Sequence, residues 1–351
     1  MSTLAKAYII LVNYNGWKDT VNCIQSLLCL HYPNFQIVVV DNCSSDGSVR
    51  RIRKRLKAID ISTQLILGAS QEGCSSSSSL STVQEGKGPP PASQESTGTG
   101  QVVIISSSEN LGFAGGNNAG IRYGLSRGDA SFFWILNNDT VAHRDALGAL
   151  IDTIERPVDR SEPIAMCGSV ILDFHVRTRI QAYGGATVNR FLGTTRNLMA
   201  GESMPKSGEL VTEAVPDYIS GCSLLVKSEC LQIIGLFDEY FFLYWEDTEW
   251  CFRCRRSGFR LTVASESLVW HRKGSTTKRF PISGFYNARN SLLFIHDYYP
   301  RYFVVCLALK PIIFLAIFLR NRDYPFFRES LRGYMKILKA GLGQRDFGSA
   351  T

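Results

Sequence analysis

The chain is 351 residues long, 45% hydrophobic and 20% charged, with a formal net charge of +7. That length holds one large domain plus a smaller appendage, and the ordinary composition excludes wholesale disorder. The mild basic excess suits a protein that holds anionic phosphates or touches an acidic membrane surface, and the absence of a basic stripe interleaved with aromatics speaks against nucleic acid as a partner.

The ten cysteines are scattered, unlike those of a small secreted disulfide scaffold. Cys251 and Cys254 form a CxxC inside a helical pattern and read as buried thiols rather than a zinc site. Tyr8 to Val12 is apolar but too short for a signal-peptide core, so it reads as a first strand in a cytoplasmic, reducing setting.

That strand ends in Asn13-Tyr14-Asn15-Gly16. From Trp17 to Leu30 the apolar positions Val21, Ile24, Leu27, Leu28 and Leu30 recur at helical spacing. A second buried strand, Gln36 to Val40, ends at Asp41, and the turn cluster Asn42 to Gly47 leads into a basic helix, Arg50 to Leu56. Strand, helix, strand, helix predicts a mostly parallel sheet covered by helices. Residues 68–100 carry Ser75 to Ser79 and Pro89 to Pro91 with few apolar side chains, which predicts a disordered surface insertion. Strand Val102 to Ser106 follows, then a Gly/Asn-rich segment, Asn110 to Gly120, that opens a helix. Strand Phe132 to Leu136 ends in Asn137-Asn138-Asp139-Thr140.

Short strands and loops are expected over residues 160–215, and helix and strand signals return from Tyr218 to Trp270. Tyr302 to Leu319 is apolar except for Lys310, with Pro311 beside it, and Arg320, Arg322, Arg328, Arg332, Lys336 and Lys339 follow. An apolar run followed by a basic one predicts an interfacial or re-entrant helix on an anionic leaflet; a core helix packed on the catalytic domain is the alternative. The division is 1–280 for a catalytic domain and 281–351 for a helical, membrane-associated segment.

Ligands of open α/β sheets bind outside the carboxyl ends of the strands. Asn13-Tyr14-Asn15, Asp41-Asn42 and Asn137-Asn138-Asp139 all stand at such ends, so they are expected to converge on one crevice. Asp41 can accept the imide N–H of a pyrimidine, or it can be the N-cap of the helix that follows, a duty for which Ser44, Ser45 and Asp46 are also candidates. Gly112, Gly115 and Gly116 are expected to bring backbone close to a ligand at a helix N-terminus that favours phosphate. Asp139 suits a hard divalent cation shared with a diphosphate, or is a plain turn residue. Glu246 and Asp247 follow Phe242-Leu243-Tyr244-Trp245, an aromatic surround in which a carboxylate can take a proton from a hydroxyl. His271 ends another strand pattern, where a neutral imidazole can complete a metal site and Arg272 or Lys273 can hold a diphosphate.

Together Asn13-Tyr14-Asn15, Val39 to Ser48, Glu109 to Asn117, Leu136-Asn137-Asn138-Asp139 and Trp245 to Glu249 resemble the family 2 glycosyltransferases, most closely their rhamnosyltransferase-like branch, over residues 7–300. The resemblance implies a GT-A fold, Rossmann-like with a mostly parallel sheet flanked by helices. It also implies inverting transfer and one Mg2+ or Mn2+ ion. Under it, Asp41 binds the nucleobase, Asn13, Tyr14, Asn15, Asn110, Gly112, Asn137 and Asn138 line the nucleotide-sugar site, and Asp139 with His271 holds the metal. Asn137 stands where the family's DXD motif has its first acid. Asp247 takes the place of the base with Glu246 beside it, and Gly221, Cys222 and Trp245 form the acceptor side. The expected donor is dTDP-rhamnose or a UDP-sugar. The expected acceptor is a glycan, lipid-linked, in cell-surface polysaccharide synthesis on the cytoplasmic face of a membrane. An inactive nucleotide-sugar-binding scaffold and a nucleotidyltransferase are the rival readings.

Overall fold

The computed structural model describes residues 4–67, 102–156, 163–205, 210, 214–272 and 281–340. The Ser/Pro-rich stretch 68–100 and Lys273 lie outside these residues.

The first half alternates as β1 (Ala7–Asn13), α1 (Trp17–Leu27), β2 (Phe35–Asp41), α2 (Ser48–Lys57), β3 (Thr63–Leu67), β4 (Val102–Ser106), α3 (Gly112–Ser126), β5 (Phe132–Asn137), β6 (Thr140–Ala142) and α4 (Ala146–Glu155). Then come β7 (Ile164–Asp173), β8 (Ile180–Tyr183), β9 (Gly185–Asn189), β10 (Thr194–Asn197), β11 (Tyr218–Ile219), β12 (Ser223–Lys227), a short α5 (Leu231–Ile234), α6 (Glu246–Arg256) and β13 (Arg260–His271). Three helices close the chain: α7 (Ile282–Tyr298), α8 (Pro300–Asn321) and α9 (Tyr324–Ala340). Strand β3 is an element the pattern reading missed. Its five residues end where the Ser/Pro-rich stretch begins.

The main sheet has ten strands in the order β3-β4-β2-β1-β5-β12-β7-β13-β6, with β8 beside β7. Its first five strands are parallel. Successive side chains of a strand point to opposite faces. On one face Ile9, Leu11 and Val39 pack with α1 and α4; on the other Tyr8, Ile10 and Val38 pack with α3 and α6. Cys251 and Cys254 belong to this second core, where Cys251 Sγ meets Met166 Sδ and burial pushes the Cys254 thiol up to about 12.

Two pairings position the site. Strand β12 runs antiparallel to β5, so Gly221 and Cys222 arrive beside the carboxyl end of β5, where Asn137 N–H donates to Cys222 C=O at 3.0 Å. Strand β13 runs antiparallel to β6 with His271 opposite Thr140, so the imidazole lands next to Asp139.

A third core joins the C-terminal helices to the rest: Trp245, Phe241, Leu292, Phe294, Phe303 and Cys306 are buried together. Helix α7 also meets α9 at close range, since a Cβ on Gly284 or Gly333 would come within 2.5 Å of the facing backbone.

Candidate active site

The loops after β1 and β2 are tied to each other before any ligand enters. Asn13, wholly buried, donates through Nδ2 to Asp41 Oδ1 at 2.6 Å and accepts at Oδ1 from Thr20 at 2.8 Å. Asp41 Oδ2 accepts the Ser44 N–H at 3.1 Å. Asn15 turns its side chain onto the β2 loop, taking the N–H groups of Ser45 and Asp46, while Tyr14 stays half-buried beside it. Asp41 is not the N-cap of α2, whose cap position is Gly47. It caps its own loop, and it lines a cleft of about 430 Å³ with Cys43, Ser44, Arg50, Arg53 and Ser107. A carboxylate has further lone pairs beyond the two bonds it makes here, so it can still accept a hydrogen bond. A larger cavity, about 660 Å³, lies at the opposite strand ends, beside Phe132 and Lys227, and away from these residues.

Asn110 and Gly112 are tied to Asn42, the neighbour of Asp41. Asn110 Oδ1 accepts from Asn42 Nδ2 and from the Gly112 N–H, each at 3.0 Å. The glycine-rich run beyond them serves a different purpose from the one expected. The first N–H groups of α3, those of Phe113 and Ala114, donate to the Phe242 carbonyl at 2.7 and 3.1 Å, so they hold protein rather than phosphate. Gly116, Gly120 and Gly124 face the sheet at successive turns, and a Cβ on them would come within 2.9 Å of Val12, Ile10 or Phe133. They let α3 lie close against β1 and β5.

At the end of β5, Asn138 points inward to Thr20 Oγ1 at 2.8 Å and toward Asn13. Asn137 Nδ2 lies 3.5 Å from His271 Nε2. Asp139 Oδ1 is 3.2 Å from the same ring nitrogen. Gln181 holds His271 by two bonds, its Oε1 3.0 Å from the ring Nδ1 and its Nε2 donating to the main-chain carbonyl. With Nδ1–H given to Gln181, Nε2 is left facing Asp139, the outer-partner arrangement common for a metal-binding histidine. Among the described residues no cluster of three His, Cys, Asp or Glu side chains forms. Asp139 and His271, side by side at 3.2 Å, are a two-residue donor set that could serve one hard divalent ion only if a diphosphate and water filled its other positions. Burial pulls the imidazole pKa down, but the Cys222 sulfur and the Asp139 carboxylate outweigh it and hold it well above the ordinary range. Arg272 pairs with Asp19 at 3.0 Å and stacks on Phe174.

The acid pair opens α6. Asp247 Oδ2 accepts the Gly221 N–H at 2.8 Å, and Oδ1 accepts the Thr248 N–H at 2.7 Å. Gly221 and Cys222 therefore link Asp247 to the Asn137–His271 corner, and the three distant acids share one edge of the sheet. Asp247 keeps partial access to solvent, whereas Glu246 is buried with its Oε2 unpartnered. Burial raises both carboxyls above their ordinary values, Glu246 the more, with Asp247 beside it adding to its shift. Only Asp247 receives N–H bonds at both oxygens, and these favour its ionised form over that of Glu246.

Trp245 does not line this space. Its indole is buried against Phe294, with ring centroids 5.1 Å apart, and anchors the loop to α7. The segment leading to it is strained. Phe242 has φ 60° and ψ −61°, the centre of a γ-turn closed by the Leu243 N–H and the Phe241 carbonyl, and Tyr244 and Trp245 have φ of 65° and 72°. Such conformations cost about 1–3 kcal/mol each and persist only when surrounding bonds impose them. Here two buried α7 residues reach this loop. Asn290 Nδ2 lies within 2.9 Å of the carbonyls of Phe241, Leu243 and Tyr244. Arg289 donates to the Tyr240 carbonyl and, through Nε, to Asn290 Oδ1 at 2.8 Å. Sequence reading passed over Arg289, Asn290 and Gln181. An Arg-Asn pair just before the apolar run Leu292 to Ile295 was the available signal for the first two.

The profile described as "Glycosyl transferase family 2" matches residues 8–77, and that of "Glycosyltransferase like family 2" matches residues 92–283. The chain is 22% identical over 227 residues to the dTDP-rhamnosyl transferase RfbF of Shigella flexneri, covering 62% of this chain and 70% of that relative. It is 25% identical over 158 residues to a low-salt glycan biosynthesis hexosyltransferase of Haloferax volcanii, covering 45% of this chain and 47% of the relative. Among solved structures, GalNAc-T7 with UDP, GalNAc and Mn2+ superposes with a TM-score of 0.55 at 13% identity, over 86% of this chain and 49% of that one. The Pyrobaculum calidifontis mannosyltransferase PcManGT, in complex with GDP-Man and Mn2+, gives 0.51 at 13% identity over 97% and 83%. These likenesses establish a GT-A-like fold. With the second profile spanning more than half of its length, the chain belongs to glycosyltransferase family 2.

Proposed function

We propose that this protein is an inverting, divalent-metal-dependent glycosyltransferase that moves a sugar from a nucleoside diphosphate onto a hydroxyl of a glycan acceptor. The observation that carries the reading is the shared edge: Asp247, held by Gly221, stands one residue from the Cys222 carbonyl that binds Asn137, beside the Asp139–His271 pair. In the reaction, Asp247 accepts the acceptor's O–H proton as that oxygen bonds to the anomeric carbon. The bond from that carbon to the diphosphate oxygen breaks on the opposite face, and the nucleoside diphosphate departs. One displacement inverts the configuration. Asp139 and His271 would hold magnesium or manganese, which when bound neutralises charge on the leaving diphosphate. Asp41 and the cleft of the β2 loop take the base, with Asn110 and Gly112 bonded to the neighbouring Asn42.

The rhamnosyl relative supports dTDP-rhamnose as donor, with a UDP-sugar second. Helix α8 supports work at a membrane surface on a lipid-linked acceptor of cell-surface polysaccharide synthesis. It is the one helix among the described residues long and apolar enough to cross a membrane. Its buried stripe Phe303, Cys306, Lys310 and Phe314 faces the protein, and Val304, Ile312, Leu315 and Leu319 face out. This two-sided pattern favours a helix lying on the cytoplasmic leaflet, with exposed Arg320, Arg322, Arg328 and Arg332 toward anionic headgroups.

The test is incubation of the protein with dTDP-rhamnose, UDP-glucose, UDP-N-acetylglucosamine and GDP-mannose, with manganese or with chelator, in the presence of bacterial lipid extract. Metal-dependent release of a nucleoside diphosphate with label passing to lipid supports the reading. Binding without turnover on any donor points to a scaffold, and pyrophosphate release from a nucleoside triphosphate to a nucleotidyltransferase.

A further inference from the structure

The geometry points to Arg289 and Asn290 as a positioning clamp: from α7 they hold the strained loop Phe241–Trp245 in the one conformation that sets Asp247 against Gly221, making the C-terminal helices part of the catalytic apparatus. The inference rests on the reading of Asp247 as the base.

Three observations carry it. The side-chain amide of Asn290 is wholly buried and shared among three carbonyls of one short loop, a use of a polar group that packing alone does not require. The Arg289 guanidinium, also buried, orients that amide through Asn290 Oδ1 and reaches the carbonyl at the loop's entrance, stacked among Tyr240, Tyr286 and Phe285. The loop itself holds three aromatic residues at positive φ and runs straight into Glu246 and Asp247, so nothing local to its sequence favours the shape it has. The Phe242 carbonyl within it accepts the first N–H groups of α3, so the same clamp also bears on the start of that helix. Aromatic side chains do not select left-handed backbone. The bonds from α7 impose it.

A helix following the sheet domain thereby fixes the base, and the hairpin of α8 and α9 packs on that helix. Displacing a base by about 1 Å costs on the order of 10²-fold in rate.

The experiment compares full-length wild type with Asn290→Asp, which keeps the shape but loses the donor hydrogens, and with Arg289→Lys, which keeps the charge but loses the planar fork. Three quantities are read: dTDP release from dTDP-rhamnose with manganese per folded molecule, the Kd of dTDP alone, and amide hydrogen exchange. The expected result is a fall in turnover on the order of 10²-fold, an unchanged dTDP Kd, and faster exchange at Phe113, Ala114 and residues 242–249. Turnover equal to wild type in both variants overturns the clamp. So does a parallel loss of turnover, dTDP affinity and melting temperature, which marks a merely structural pair. Wild type that turns over no donor rejects the transferase reading instead, and the exchange pattern still decides whether the loop is held from α7.

Discussion

The main-chain N–H of Gly221 donates to Asp247 Oδ2 at 2.8 Å, joining the start of α6 to the segment that enters β12. This bond stabilises the ionised carboxylate and holds it near the carboxyl end of β5 and the amino end of β12. Asp247→Asn keeps the side-chain shape but cannot accept a proton. Transfer should fall by about 10²–10⁴-fold, the usual worth of a general base, while dTDP binding by calorimetry stays at the wild-type value. Burial raises this carboxyl above its unshifted 3.8, and transfer needs its ionised form. The acid limb of kcat should therefore lie above that value, with activity lost as pH falls through it. A limb at or below 3.8 would contradict the assignment.

Glu246 makes the complementary prediction. Its folded pKa stands well above 4.5 because it is buried and next to Asp247. Below the unfolded value both states are protonated and folding carries no penalty. As pH rises past it, the unfolded chain ionises while the folded one keeps its proton, so stability falls with rising pH. Glu246→Gln removes that dependence. The melting temperature of the variant minus that of wild type should grow as pH is raised from acid toward neutrality, by scanning calorimetry. A difference independent of pH would show that Glu246 is ionised in the fold.

Gly112 is a position where the backbone tolerates no side chain. Its φ is +68°, and a Cβ would lie 2.4 Å from the Phe242 carbonyl oxygen. Gly112→Ala should cost about 1–2 kcal/mol from conformation alone, with the collision added. It should also lower turnover, because the displaced carbonyl belongs to the loop that carries the acid pair. Urea denaturation measures the first effect and dTDP release the second.

On the proposed reading Asp139 and His271 hold the metal, and Gln181 orients the histidine. Asp139→Asn or His271→Ala should abolish the rise in melting temperature on adding manganese. Gln181→Ala should weaken manganese affinity by about 10–100-fold, the usual effect of losing the group that orients a ligating histidine. Since the His271 pKa is raised well above its ordinary value, manganese must displace a proton, and its affinity should fall as pH is lowered. Titration of the three variants with manganese at two pH values checks all of this.

What could be read from the chain was whatever a strand end displays. Asn13, Asp41 and Asn137 each follow an unbroken apolar run, so their meeting at one edge follows from parallel pairing. Side chains whose partners are remote in sequence gave no such signal. Asn290 meets carbonyls up to 49 residues away, and Gln181 meets a histidine 90 residues away. The glycines of α3 were misjudged for a related reason: a helix lying close to a sheet and a backbone lying close to a ligand call for the same residue. Trp245 was misplaced because an aromatic beside an acid pair suits a sugar site, and only the fold brings Phe294 to cover it.

Helix α8 divides its surface between protein and surroundings. Lys310, its central charge, is buried and donates to the Gly193 carbonyl at 2.7 Å, so it points away from the outward stripe. On that stripe Val304, Ile312 and Leu319 are 73%, 64% and 53% exposed, a continuous apolar line that water does not favour. If it rests on lipid, Ile312→Glu with Leu315→Glu forfeits about 3–6 kcal/mol of transfer energy, roughly 10²-fold or more in partition. The double variant should stop cosedimenting with phosphatidylglycerol-containing vesicles yet keep the wild-type melting temperature and dTDP release in detergent, because neither side chain is buried. Charge contributes separately: raising salt should weaken but not abolish wild-type binding, and vesicles of phosphatidylcholine alone should bind less. Undiminished cosedimentation of the double variant would assign the membrane contact to some other surface.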